Sequence, residues 1–246
     1  MTKASAASKA VQVNRARAGV VAVPRRVSKD SYHHENLRGA LLVVARRELE
    51  AVGAAELSLR SIARLAGVSS AAPAYHFRNK EGLLVEIAIQ GFAELVRNRL
   101  AAVRSGESPR ENAKQMLSAY VDFALANPGV FDLMFGMRIL DRRHHPALRD
   151  TASSSFRIFY DTVSAFARSC GWPPDTKAGL VHAAWAVEHG LATLLLSGNA
   201  PARSAPVRPD ALVTLAIELF LRSVDDGPLS CPSKSDLGRE GSAKPL

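Results

Sequence analysis

Cysteine is scarce in this sequence: Cys170 and Cys231 are the only two in 246 residues. Two thiols build no disulfide framework, and such usage fits a reducing compartment. Long apolar runs are lacking too. The best candidate for a membrane span, Val181 to Ser197, is interrupted by His182, Glu188 and His189, so no bilayer crossing is expected. No Gly-rich phosphate loop and no Ser-His-Asp order occurs, and Asp175, Glu188 and His189 form no recognisable acid–base constellation. An enzyme is therefore not expected. The adjacent pairs His33-His34 and His144-His145 point in different directions on a helix, whereas metal ligands prefer spaced positions. No metal and no cofactor is expected.

Acidic residues are missing from residues 1–29, where Lys3, Lys9, Arg15, Arg17, Arg25, Arg26 and Lys29 stand unopposed. The formal net charge of +9 belongs mostly to that segment, because bases and acids nearly cancel in the rest. The segment shows no sustained period and reads as disordered when free. Two roles stay open for it: a solvated extension, or a basic arm that lies along phosphates or enters a minor groove.

What is present is helical periodicity. At 47% hydrophobic the chain can bury a substantial core, and its length suits one small domain plus a larger one. A first helix is predicted over about Asn36 to Val52, with Leu37, Leu41, Ala45, Leu49 and Val52 inward and Gly53 ending it. Then comes Ser58, a candidate N-cap, followed by Leu59 to Ala66 with Ile62, Ala63 and Ala66 on one face. Gly67 can take positive φ and end this helix. Val68 can plug the corner, and Ser69 or Ser70 can cap a second short helix that keeps Pro73 in its first turn. A helix, a glycine corner and a short second helix form the arrangement that enters a DNA major groove.

Residues from about Tyr32 to Phe92 resemble the DNA-binding domain of the tetracycline-repressor (TetR) family of bacterial regulators. The matching residues are Arg60, Ile62-Ala63, Ala66-Gly67-Val68-Ser69, His76-Phe77, Lys80-Glu81 and Leu83-Leu84, with Tyr32-His33-His34 and Leu37-Arg38 at the start. At Ala74, where many members carry a DNA-touching aromatic, this chain has Tyr75 beside it. The resemblance implies that Ser69, Ser70, Ala71, Ala72 and Tyr75 face DNA. It also implies that Arg60 reaches a base edge or phosphate, and that Ser58, His76 and Lys80 contact phosphates. His76 reads equally well as a packing residue. Such small residues on the reading helix suggest readout through thymine methyls, water and DNA shape.

Downstream, Asn79 is expected to cap a long helix whose inward rows include Leu83, Leu84, Ile87, Ala88, Phe92, Leu95, Val96, Leu100 and Val103, ended by Ser105-Gly106. Ser108-Pro109-Arg110-Glu111 is a capping box for a helix running to Asn127. Further helices are predicted over about Val130 to Arg138, from about Leu148 to Gly171, from Asp175 as cap to Gly198, and from Pro209 to about Val224. No strand signal and no repeat appears. The fold class is all-α. The division implied is a basic tail over 1–29, a helix-turn-helix domain over 30–82, a helical effector-binding and dimerisation domain over 83–226, and a tail over 227–246.

The last helix is apolar on most sides, so it is either buried widely within the chain or shared with another subunit. In the resembled family the final two helices form a four-helix interface across a twofold axis. Trp185 and His189-Gly190 resemble a Trp-His-Gly feature of one branch. An effector cavity is expected between the middle helices, with Met116, Tyr120, Phe123, Met134, Phe135, Met137, Phe159, Phe166, Trp185 and His189 as candidate lining; taken singly, each of the large apolar ones reads more readily as plain core. The expected partners are thus a palindromic double-stranded operator, a second copy of the chain and an unidentified small molecule, with no membrane. The implied function is a cytoplasmic bacterial transcriptional regulator, nucleoid-associated when bound, acting as a repressor. The alternative is a sequence-indifferent DNA-binding protein working through its basic tail.

Overall fold

The structure, a computed structural model, describes residues 34–104, 106–136, 140, 142–198 and 208–228. Both tails, His33, Met137 and Cys231 lie outside the described residues. Within them all regular structure is helical: α1 (His34–Glu56), α2 (Leu59–Ala66), α3 (Ala72–Phe77), α4 (Lys80–Ala102), α5 (Pro109–Ala126), α6 (Pro128–Phe135), a 3-10 turn (Arg142–His144), α7 (Pro146–Ser169), α8 (Lys177–Ser197) and α9 (Pro209–Asp225).

The glycine corner forms as its sequence dictates. Ser58 Oγ accepts from the Ser61 amide at 3.1 Å and opens α2. Gly67 closes it in the left-handed region (φ 69°, ψ 31°), with the Val68 amide bonding back to Ala63 O at 3.0 Å. Ile62 and Ala63 are buried where α2 meets its neighbours, and Val68 packs half-buried against the same core. Neither Ser69 nor Ser70 caps α3, contrary to expectation. The helix starts later, with Ala71 at its N-cap position, no side-chain cap, and Pro73 buried in its first turn. The Ala72 amide bonds Ser69 O instead, a turn that does the capping without a hydroxyl.

A tight reversal joins α3 to α4. The Asn79 amide bonds Phe77 O at 2.8 Å across Arg78, which sits at φ 65°, ψ −55°. This is a γ-turn of the strained hand. Asn79 then caps α4 as predicted, its Oδ1 accepting from the Gly82 amide at 2.8 Å. A Cβ on Gly82 would overlap the Phe77 carbonyl oxygen, so this close approach requires glycine.

At 23 residues α4 is about 35 Å long and contacts α1 and α3 at one end and α5, α6 and α7 along the rest. Leu83, Leu84, Ile87, Ala88, Phe92 and Leu95 are buried as the periodicity demands. Leu100 is not; it is 53% exposed, and Arg99 takes the inward position at 3%. An apolar-first reading of the stripe missed this, because a buried arginine looks like a surface one until its partner is known. Val52 at the end of α1 is also exposed rather than inward, because Gly53 (φ 77°, ψ 169°) turns the chain just there.

Two further boundaries differ. α6 begins at Pro128, with Asn127 serving both as C-cap of α5 and N-cap of α6. α8 begins at Lys177 with Thr176, not Asp175, at its N-cap position. α8 is long and apolar enough by length and composition to cross a bilayer; here it packs against α5, α7 and α9 and carries Glu188 fully buried.

Candidate DNA interface and effector cavity

The surface around α2 and α3 is built by exposure and caps. Ser58, Arg60, Ser69, Ser70, Ala71 and Tyr75 are exposed, and Ala72 and His76 are half-buried. Tyr75 is the most exposed large residue here, at 77%, with its ring edge-on to His76 at 5.2 Å. Phe77 turns inward at 4% and anchors the short helix in the core. A cleft of about 490 Å³ lies between α2 and the approach to α3, with Arg60 and Arg64 on one side and Ser70 on the other. Arg64 was not among the expected contacts. Its spacing of one helical turn from Arg60 was the available signal. Lys80, expected as a phosphate contact, donates to Ala55 O at 2.6 Å and so ties the start of α4 to the end of α1.

The remaining helices hold the second candidate site. Tyr120 Oη and His189 Nδ1 are 2.8 Å apart, and burial lowers the pKa of His189. The neutral imidazole can thus accept from the tyrosine hydroxyl. Phe131 and Phe135 crowd the same imidazole, with ring centroids 5.6 and 5.5 Å away. Beside this cluster is a cavity of about 330 Å³, within the range of ligand sites. Of the candidate residues, Tyr120, Phe135 and Trp185 line it; so do Phe92, Phe156, Arg149, Arg99 and Glu188, which sequence reasoning did not assign. Met134 and His189 line an adjoining cleft with Trp185 and Phe135. Met116, Phe123, Phe159 and Phe166 do not contribute to these walls; they are core side chains exposed by 1% or less.

Arg99 and Glu188 form an ion pair inside the body, Nη2 to Oε1. The guanidinium lies between the rings of Tyr120 and Phe159, 4.9 and 4.8 Å from their centroids. Burial pushes the Glu188 carboxyl up to about 8, against the pull of Arg99. Among the described residues, Arg99 Nε and Glu188 Oε2 have no hydrogen-bond partner. Neither residue carried a sequence signal as a pair, being separated by 89 positions.

Against known proteins, the family model described as "Bacterial regulatory proteins, tetR family" matches residues 41–87. A second, "Tetracyclin repressor-like, C-terminal domain", matches residues 113–220. Together they span well over half of the chain. The chain belongs to the TetR family. Among curated relatives, the HTH-type transcriptional regulator BetI of Agrobacterium fabrum is 28% identical over 80% of this chain and 93% of its own. A protein of unknown function from Rhodococcus sp. RHA1 shares 34% identity and a TM-score of 0.68, over 79% of this chain and 98% of that one. A TetR protein from Acinetobacter baumannii, solved in complex with minocycline, shares 19% identity and a TM-score of 0.53, over 76% and 97%. As a TetR-family protein, the chain is a DNA-binding transcriptional regulator of the class whose repression is modulated by an effector.

Proposed function

We propose that this TetR-family protein reads a palindromic operator as a homodimer through α3, and that an effector in the α4–α8 cavity releases it. The observation that carries the reading is the exposed run Ser69, Ser70, Ala71 and Tyr75, held proud of the core by buried Pro73 and Phe77. Arg60 and Arg64 flank it; guanidinium groups pair with guanine edges or phosphates. Ser58, His76 and Lys80 complete the contact surface. Lys80 keeps donors free after its bond to Ala55 O, since an ammonium has three. Residues 30–82 act as the reading domain and 83–226 as the body.

The dimer forms through α8 and α9. On α8 the small residues Ala183, Ala186 and Gly190 share an exposed face with Leu194, and a Cβ on Gly190 would meet nothing. On α9, Leu215 and Leu219 are each 57% exposed, one turn apart. Apolar residues in such a row favour a twofold helix contact. Two reading helices then need a separation of about 34 Å to enter successive major grooves. The protein acts in the bacterial cytoplasm, and no step in this reading needs an enzyme.

The effector works through differential affinity for two states of the body. The complex of the A. baumannii relative with minocycline supports a small-molecule site in this fold. Trp185 with His189-Gly190 supports placement in the Trp-His-Gly branch. The test is selection of bound duplexes from a random pool at fixed salt. The reading expects an inverted repeat enriched well above random DNA; recovery of unrelated sequences, or of one half-site alone, would overturn it.

A further inference from the structure

The cavity beside α8 is apolar along much of its wall, through Phe92, Leu95, Phe135, Phe156 and Trp185; its polar lining comprises Tyr120, Arg149, Ser153 and Ser155 together with the buried pair Arg99 and Glu188. Both side chains of this pair are almost wholly buried, 3% and 0% exposed. Each keeps one polar atom without a partner among the described residues, Arg99 Nε and Glu188 Oε2. A buried polar atom without a partner is costly, so a body that leaves two on one buried pair beside a cavity is built to have them filled. We infer that the cavity takes an organic carboxylate, its apolar body against the aromatic wall and its head group held by Arg99, with the Glu188 carboxyl group as a second donor. This deepens the effector reading above and rests on it.

Charge argues for an anion. The lining carries two arginines, Arg99 and Arg149, against a single acid, Glu188. Arg149 stands half-exposed at the rim, where Asp150 pairs with it at 3.0 Å. The direction in which burial moves Glu188 agrees: a protonated carboxyl offers a hydrogen where an ionised one would repel the ligand. Buried carboxylic acids kept neutral do act as hydrogen-bond donors to anions. The guanidinium, stacked between Tyr120 and Phe159, is fixed in place and loses little freedom on binding.

The test uses the full chain carrying Trp172→Phe, which leaves Trp185 as the only tryptophan, and three probes of equal length: octanoate, octanol and octyltrimethylammonium. Trp185 emission reports occupancy. Octanoate is expected to bind at least about tenfold tighter than either other probe, since a buried charge-assisted hydrogen bond exceeds a neutral one. Glu188→Gln keeps a donor and removes the acid, so octanoate binds at least as tightly as before. Arg99→Met abolishes the preference among probes. Octanol or the ammonium matching octanoate, loss of octanoate binding in Glu188→Gln, or a preference that survives Arg99→Met overturns the head-group inference alone. The wild-type ranking stands whether or not a variant folds. If none of the three probes changes Trp185 emission, the cavity is not the effector site and the effector part of the proposed function falls with it.

Discussion

The carboxylate of Glu50 accepts from the Gly129 amide at 2.7 Å and, through its other oxygen, from Val130 at 3.1 Å. A residue of α1, in the reading head, thus caps α6, whose Phe131 and Phe135 crowd His189 beside the cavity. One turn earlier on α1, Arg46 bonds Asn127 Oδ1 and Glu94, each at 2.6 Å. Gly129 is needed for the approach, because a Cβ there would lie 3.0 Å from both Glu50 Oε2 and Leu49 O. The two halves of the protein also share one hydrophobic cluster, from Leu41 through Ile62 and Phe77 to Met134. Movement of α6 and movement of α1 are therefore mechanically linked.

Glu50→Ala removes a helix cap that comes from another element. A lost cap costs about 1 kcal/mol, and the Gly129 and Val130 amides lose their acceptor. Hydrogen exchange should accelerate at those two amides and through the first turn of α6, with α9 unaffected. Unchanged exchange at Gly129 would show that the carboxylate does not hold the helix.

Gly82 and Gly39 make opposite predictions from the same substitution. Alanine at 82 forces α4 away from the Phe77 carbonyl, a backbone clash with no flexible atom to give way. The cost expected is about 1–3 kcal/mol, with a matching loss of DNA affinity as the γ-turn at Arg78 shifts. Alanine at 39 meets nothing at an exposed position of α1, and should stabilise by up to about 1 kcal/mol through helix propensity. Chemical denaturation of both variants decides it.

The helix-turn-helix was legible because its signals are local: the Ser58 cap, the Gly67 corner and the Asn79 cap each act within a few residues. The same holds for Ser108, whose Oγ accepts from the Glu111 amide at 3.1 Å. Long-range pairing was not legible. Arg99 and Leu100 are neighbours, and only the distant Glu188 determines that the arginine turns in and the leucine out. The cavity suffered for the same reason. Size and softness marked Met116, Phe123 and Phe159 as lining, yet side chains of that kind fill cores by default, and the polar pair that distinguishes a site from a core lay outside any local pattern.

At the DNA surface, Arg60→Ala and Arg64→Ala should separate reading from positioning. Loss of a base-edge arginine costs about 1–3 kcal/mol and relaxes sequence preference at one position. Loss of a phosphate contact weakens all duplexes alike and lowers the salt slope by about 1. Arg60 is expected to show the first pattern and Arg64 the second. Titrations of operator and random duplex across salt concentrations distinguish them.

Leu215→Glu with Leu219→Glu places two carboxylates on the exposed face of α9 without touching its buried side, Ile217, Leu221 and Val224. The fold should persist by circular dichroism while sedimentation shows a monomer. Operator affinity should then fall by orders of magnitude, towards that of one half-site. A variant that stays dimeric would place the twofold contact elsewhere.

Glu188 makes the stability of the body depend on pH. Its carboxyl rises from an ordinary 4.5 to about 8 because burial penalises the charged form more than Arg99 favours it. The folded chain therefore binds a proton that the unfolded chain releases, so this contribution is full below about 4.5 and is lost as pH rises towards 8. His189 acts in the opposite sense, since burial lowers its pKa and its contribution is lost as pH falls. Comparing wild type with Glu188→Gln cancels the histidine and isolates the acid. Between those two pH values the wild type should lose stability relative to the variant; a difference that stays flat would mean that Arg99 keeps the carboxylate ionised throughout.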